Sequence, residues 1–271
     1  MNLEVFKSKI RQTVYKASFE LRDDVLAFIK RAYKQEVSSS TKNYLKTIID
    51  NAQIADKKEL AICQDTGFPV VFLELGRNTK LDNSLIKVIS SEIEKAYKDF
   101  SLRASITDPL KRDKSGFGPI EVHIEYSDNN FSKLSLLLKG FGSENKSKLY
   151  MLNPNEDITG YVLDAVKKAG PEACPPFIIG IGLGGTSDKA LFLAKKALLE
   201  GIGSVSSDKE IAILEKKIFL EVNKLKIGPM GLGGKTTALA VKIKTAPTHI
   251  AGLSLGININ CWALRSASFT F

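Results

Sequence analysis

The chain has three cysteines, Cys63, Cys174 and Cys261, and each stands where a regular pattern meets polar loop residues. Cys63 opens Cys-Gln-Asp-Thr-Gly, Cys174 sits in Ala-Cys-Pro-Pro after a helix stop, and Cys261 ends the run Asn-Ile-Asn-Cys. An odd count at wide separation argues against a disulfide framework. Taken singly, each thiol reads as a small buried hydrophobe. Taken together, three thiolates arriving from remote segments suit a metal or a cluster. Zinc would find a fourth ligand in His249. An iron–sulfur cubane is usually held by four cysteines, so three would leave one iron open to substrate as a Lewis acid.

Two glycine runs invite other chemistry. Gly180-Ile-Gly182-Leu-Gly184-Gly185 follows a strand pattern and precedes a helical one, which satisfies the letter of a dinucleotide-binding fingerprint. A nicotinamide site also wants an acidic residue ending the next strand, and Gly201 to Ser207 has the composition of a loop without one. Gly233-Gly234-Lys235-Thr236 looks like the end of a phosphate-binding loop, but the glycine required ahead of it is Pro229. What remains is a turn from Gly228 whose amides, with Lys235 and Thr236, could meet an anion, or that merely links a helix to a strand. Two alternatives to a cluster enzyme therefore stay open: a nicotinamide-dependent oxidoreductase on Gly180 to Gly185, and a zinc-stabilised interaction protein using the cysteines and His249.

The elements that must position these residues follow from hydrophobic period. Phe6, Ile10 and Val14, then Val25, Phe28, Ile29 and Ala32, then Tyr44, Leu45, Ile48, Ile49, Ala52 and Ala55 recur at helical spacing and predict three amphipathic helices. Ala61 to Gln64 and Pro69 to Leu75 read as short strands, with a helix over Ser84 to Tyr97. Strands follow at Ile120 to Tyr126 and Leu134 to Leu138, a helix from Asp157 to Lys168 stopped by Gly170-Pro171, and a buried strand at Phe177 to Ile181. Helices at Asp188 to Leu199 and Lys209 to Lys224 precede strands at Thr236 to Ile243 and Ile250 to Ile259. Without regular strand–helix alternation this is an α+β pattern. No linker or repeat divides it, so we expect one domain over 1–271, with a helical start to about 57 and a mixed body from about 58.

Composition narrows the class. The 271 residues, 44% hydrophobic and 25% charged, describe an ordinary globular protein. No apolar run approaches the roughly 20 residues of a spanning helix, and the first residues lack a signal-peptide core, so no membrane partner and a cytoplasmic location are expected. The net charge of +9 is mostly lysine dispersed among acids, without the arginine and aromatic pattern of a nucleic-acid surface. No nucleic-acid partner is expected.

Ile62-Cys-Gln-Asp-Thr-Gly67, Lys139-Gly-Phe-Gly-Ser-Glu-Asn145, Gly170-Pro-Glu-Ala-Cys-Pro-Pro176, Gly180 to Thr186, Ile227 to Thr237, Ala246-Pro-Thr-His-Ile250 and Asn258-Ile-Asn-Cys261, in this order and spacing, resemble the class I, iron–sulfur-dependent fumarate hydratase and L(+)-tartrate dehydratase family. The resemblance runs from about residue 1 to 265 and is to the N-terminal or α-subunit part. It implies a [4Fe-4S] cluster with one open iron, ligated by Cys63, Cys174 and Cys261. It implies substrate contacts at Gln64, Asp65, Arg103, Gly140, Gly142 and His249, with Asp65 and His249 as the catalytic pair. Elementary chemistry agrees: a dicarboxylate suits a guanidinium fork, and glycines let backbone N–H groups approach a carboxylate. The implied activity is reversible hydration of a four-carbon dicarboxylic acid, fumarate to malate first and L-tartrate to oxaloacetate next. The general base would come from a separate β subunit in an α2β2 assembly. His123 reads as structural. Trp262 stands where relatives often carry histidine.

Overall fold

The computed structural model describes residues 2–79 and 83–271. The helical periodicity of the first part becomes α1 (Leu3–Phe19), α2 (Asp23–Gln35) and α3 (Ser39–Lys58). Asn2 caps α1 by accepting from the Glu4 amide. Ala61 to Gln64 is not a strand; Ile62 to Asp65 is a series of bends, in which the Asp65 side chain bonds the local backbone in place of a ladder partner. Then come β1 (Phe68–Leu75), α4 (Asn83–Asp99), the short β2 (Ile106–Thr107) and β3 (Ser115–Gly116), β4 (Glu121–Tyr126) and β5 (Lys133–Lys139). The chain continues through α5 (Phe141–Glu144), β6 (Lys148–Leu152), α6 (Ile158–Ala169), β7 (Phe177–Leu183), α7 (Ser187–Ala197), α8 (Lys209–Lys224), β8 (Ala238–Thr245), β9 (Leu253–Asn260) and β10 (Ser266–Thr270). Asp157 and Asp208 cap α6 and α8 with their carboxylates. The architecture is α+β, as expected. Among the described residues no helix is long and apolar enough to cross a membrane.

The chain divides into two units. One comprises Met1–Arg22, Ala52–Gly140 and Arg265–Phe271. Its sheet has the order β10-β5-β1-β4, with β1 parallel to β4 and antiparallel to β5. The strands β4 and β5 are thus separated by β1 and do not form a hairpin. Alternate residues Val71, Leu73 and Leu75 of β1 and Leu134, Leu136 and Leu138 of β5 share one face. They are buried with Phe6, Ile10 and Val14 of α1 and Ile89, Ile93 and Tyr97 of α4. His123 on β4 lies against the Phe72 ring at 5.1 Å between centroids.

The other unit comprises Asp23–Asn51 and Phe141–Leu264. Its sheet has the order β6-β9-β7-β8, with β7 antiparallel to β9 and parallel to β8. Ile179, Ile181, Ile257 and Ile259 pack with Val162 and Val166 of α6 and Ile218 and Val222 of α8. The alternate residues of β7 are Gly180 and Gly182, and they face α7. A Cβ on Gly180 would sit 2.1 Å from the Ala194 carbonyl oxygen, and one on Gly182 would sit 2.0 Å from that of Ala190. Gly256 of β9 meets the same Ala190 carbonyl, at 2.4 Å. The first two glycines of the fingerprint therefore lie within the sheet and serve close helix packing, a role that needs no nucleotide.

Gly182→Ala forces α7 off the sheet, and overpacking of this kind costs about 1–3 kcal/mol or more. Gly252→Ala, whose added Cβ would find its nearest neighbour at 3.7 Å, is the matched control. Thermal melts should show a clear loss for the first and little change for the second. Equal melting temperatures would remove the glycine seam as the reason α7 packs where it does.

Candidate functional site

Around Cys63 the backbone has no regular structure, so its polar groups are satisfied one at a time. The Ile62 amide donates to the Ser18 carbonyl at 3.0 Å, and the Gly67 amide donates to Asp65 Oδ1 at 3.0 Å, closing an Asx turn. The Tyr97 hydroxyl, buried on α4, reaches the carbonyls of Thr66 and Gly67, each at 3.1 Å. Burial raises that hydroxyl's pKa, with the Arg265 charge opposing and the Asp65 charge reinforcing, so it stays protonated and remains a donor. Thr66 Oγ1 accepts from the Arg103 amide at 3.0 Å. Gly67, at φ +87°, runs so close to β5 that a Cβ would lie 2.7 Å from the Leu138 carbonyl carbon. The result holds Cys63 and Asp65 half-buried, and Gln64 and Arg103 exposed.

Beneath this loop lies Arg265, a residue that sequence reasoning missed. It is 3% exposed, and its Nη1 donates to the Asp65 carbonyl. Gly140 completes the corner: a Cβ there would meet Arg265 Nη2 at 3.0 Å and Asp65 Oδ2 at 3.4 Å. Four of the expected residues, Gln64, Asp65, Arg103 and Gly140, thus belong to one unit. The bond from the Arg103 amide to Thr66 ties the Arg103 segment to the Cys63–Gly67 loop.

Cys174 and Cys261 belong to the other unit. Antiparallel pairing of Ile178 with Asn260 sets the start of β7 beside the end of β9, and the two cysteines flank that edge in sequence. Cys174 follows a 3₁₀ turn over Gly170–Ala173 and adopts the left-handed region at φ 54°. Its carbonyl accepts from the Trp262 amide at 3.3 Å, which ties the residue after Cys261 to Cys174 directly. Asn260 Nδ2 donates to the Cys261 carbonyl at 2.8 Å. Burial and the charge of Cys174 raise the Tyr44 hydroxyl above its ordinary range.

Gly142 and His249 also lie in this second unit, both exposed. Gly142 is in α5, which is anchored through Glu144. That carboxylate accepts from Lys195 Nζ at 2.6 Å and from Asn258 Nδ2 at 2.9 Å. His249, in the loop between β8 and β9, accepts the Ala251 amide at Nδ1 at 3.1 Å. In the neutral ring this leaves Nε2 as the N–H.

All three thiols are free of disulfides and half-buried. Three such thiols form a donor set of the kind an iron–sulfur group uses, and in this respect the residues fit the expected cofactor. Among the described residues no group of three or more His, Cys, Asp or Glu side chains is gathered closely enough to hold a metal ion. The buried Asn258 Oδ1 and Arg265 Nε have no hydrogen-bond partner.

The family model described as fumarate hydratase (Fumerase) matches residues 7–270. The chain is 43% identical over 262 residues to the putative L(+)-tartrate dehydratase subunit alpha of Methanocaldococcus jannaschii, spanning 93% of this chain and 92% of that one. It is 31% identical over 281 positions to a putative fumarate hydratase class I of Geobacillus stearothermophilus, spanning 97% of this chain but 54% of that protein. With the L(+)-tartrate dehydratase subunit alpha of Escherichia coli K12 it shares 29% identity over 256 residues, spanning 92% and 84%.

The turn after Gly228 does cradle an anion, and the anion is internal. Glu36, at the end of α2 and 3% exposed, accepts the Lys235 amide at 2.9 Å with one oxygen. Its other oxygen accepts the amides of Val37 and Ser38 at 2.9 and 3.1 Å. Gly234, at φ +104°, admits it, since a Cβ would stand 2.5 Å from Glu36 Oε2. Burial pushes the Glu36 pKa up, but the amides of Lys235, Ser38 and Val37 outweigh it and the net pKa is lowered. A carboxylate lowered on folding stabilises the fold above its unfolded pKa, about 4.3, and loses that contribution as pH falls through the lower folded value. Glu36→Gln, which turns an amide donor on amide donors, should cost about 1–3 kcal/mol at pH 7. Denaturant titrations from pH 7 into acid should show the gap to wild type narrowing below about pH 4.3. A gap independent of pH would show that ionisation of Glu36 is not what the turn binds.

Proposed function

The chain belongs to the fumarate hydratase (Fumerase) family, and from that premise we propose that it is the α subunit of a hydro-lyase acting on a four-carbon dicarboxylic acid. The observation that carries this reading is the 43% identity spanning 93% of the chain and 92% of a relative whose name is putative L(+)-tartrate dehydratase subunit alpha. Fumarate and malate form the first substrate pair, and L-tartrate and oxaloacetate the second. The names of the Methanocaldococcus and Escherichia relatives support the second pair, and that of the Geobacillus relative supports the first.

Cys63, Cys174 and Cys261 are the proposed ligands of a [4Fe-4S] cluster, which when bound supplies a Lewis acid for the departing hydroxyl. Arg103, exposed beside the Cys63–Gly67 loop, binds one substrate carboxylate through its guanidinium fork. Gln64 and the backbone at Gly140 and Gly142 supply further hydrogen bonds. Asp65, held by its own Asx turn, contacts the substrate and orients it for the base of the partner subunit. His249, with Nδ1 engaged by the Ala251 amide, offers Nε2–H to the far end of the substrate. The proton acceptor for the carbon acid belongs to a separate β subunit, and the assembly is α2β2, in the cytoplasm. The word alpha in the names of two relatives supports a partner subunit.

Two measurements test this. Replacing Cys63, Cys174 or Cys261 singly by Ser should sharply lower bound iron after anaerobic reconstitution, with loss of the broad absorbance near ~400 nm expected of such clusters. Full iron in all three variants would remove them as ligands. Turnover of both substrate pairs should require a β subunit of this family, the isolated chain being slower by at least about 10²–10⁴-fold. Comparable turnover by the isolated chain would place the base here and refute the split site.

A further inference from the structure

Among the described residues, Lys139, Lys242 and Arg265 are buried cations that the proposed chemistry does not use. Arg265 is 3% exposed, and a guanidinium taken out of water must be compensated by what surrounds it. Its surroundings are the site loop. Nη1 donates to the Asp65 carbonyl. Nη2 and Asp65 Oδ2 both lie beside Gly140, at 3.0 and 3.4 Å from the point a Cβ would occupy there. Nε has no partner, so the side chain is not held by bonds to a remote element at that atom. Arg265 and the residue after it have bonds of their own that do not involve the loop. The Leu138 amide donates to the Arg265 carbonyl at 2.9 Å, and Arg22 Nη1 donates to Ser266 Oγ at 3.1 Å. The guanidinium therefore projects from the rigid β5–β10 pairing to a loop with no ladder of its own.

We propose that Arg265 is a positioning residue: from beneath, it sets the Cys63–Gly67 loop so that Asp65 and the Gly140 backbone face the substrate together. The inference rests on the hydro-lyase reading for its catalytic consequence, while the hold of Arg265 on the loop stands apart from it. A misplacement of about 1 Å in a reacting group can cost about 10²-fold in rate. In the αβ enzyme, Arg265→Gln should lower kcat by about 10²-fold with KM changed less than about threefold, because Arg103 still binds the carboxylate. Arg265→Lys, which keeps the charge and one donor but loses the fork, should recover part of kcat.

The separating measurement is hydrogen exchange on the full α chain without cluster. Arg265→Gln should speed exchange of the Gly67 and Arg103 amides, both tied to this loop, while protection in β1 and β5 stays as in wild type. Unchanged exchange at Gly67 overturns the proposal whether or not the chain is a hydro-lyase. Loss of protection throughout β1 and β5, in the lysine variant as well as the glutamine one, would make Arg265 a general stability residue and overturn it too. If wild-type αβ turned over neither substrate pair while the exchange result held, the hydro-lyase reading alone would fall.

Discussion

A loop outside any ladder must still find a partner for every peptide group it buries. That constraint governs the first unit. Cys63 to Gly67 is tied down by single bonds from separate sources: the Asp65 carboxylate, the Tyr97 hydroxyl, the Thr66 hydroxyl and the Arg265 guanidinium. None of these is exchangeable for an apolar group of the same shape without leaving a buried polar atom orphaned. The core beneath, with α1 and α4 packed on alternate residues of β1 and β5, is what keeps Tyr97 still enough to serve.

The second unit meets a different demand, the close approach of backbones. Ala190 and Ala194 carbonyls of α7 press on Gly180, Gly182 and Gly256, so α7 lies directly on the strands that carry Cys174 and Cys261 at their ends. Helix-to-sheet contact through glycine leaves little slack, because backbone atoms cannot rotate away as side chains can. The Trp262 amide on the Cys174 carbonyl then closes the edge where β7 begins and β9 ends. Position is imposed by the sheet, and the cysteines inherit it.

Much of this was legible beforehand. Period alone located α1, α8 and the buried strand at Phe177, since Lys209–Lys224 carries its apolar residues on one face and β7 is an unbroken apolar run. Ala61 to Gln64 misled because an apolar pair ahead of polar residues mimics a strand start, while the deciding fact is the Asp65 side chain bonding the Gly67 amide. β10 escaped notice because Ser-Ala-Ser-Phe-Thr has a weak apolar signal, and β6 because its apolar residues fall on both faces, Leu149 and Met151 outward, and so show no alternation. The cysteines, Asp65 and Arg103 stood out through the company they keep in sequence. Arg265 and Tyr97 did not, since nothing local distinguishes a buried arginine from a surface one.

The two glycine turns make the same point about charge. A run of amides at Gly228 to Lys235 is an anion site by its own geometry, and sequence could say no more than that. Which anion fills it depends on an acid placed 199 residues away in the chain, Glu36. With Glu36 seated there, the turn no longer competes for an external dicarboxylate. The loop at Asp65 has the opposite balance: Gly140 lies beside the Arg265 guanidinium and the Asp65 carboxylate, and Arg103, tied to the loop through its amide, is exposed. An internal carboxylate thus converts one potential anion site into structure, while Arg103 stays exposed in the proposed substrate site. The difference between the two lies in burial, which only the fold decides.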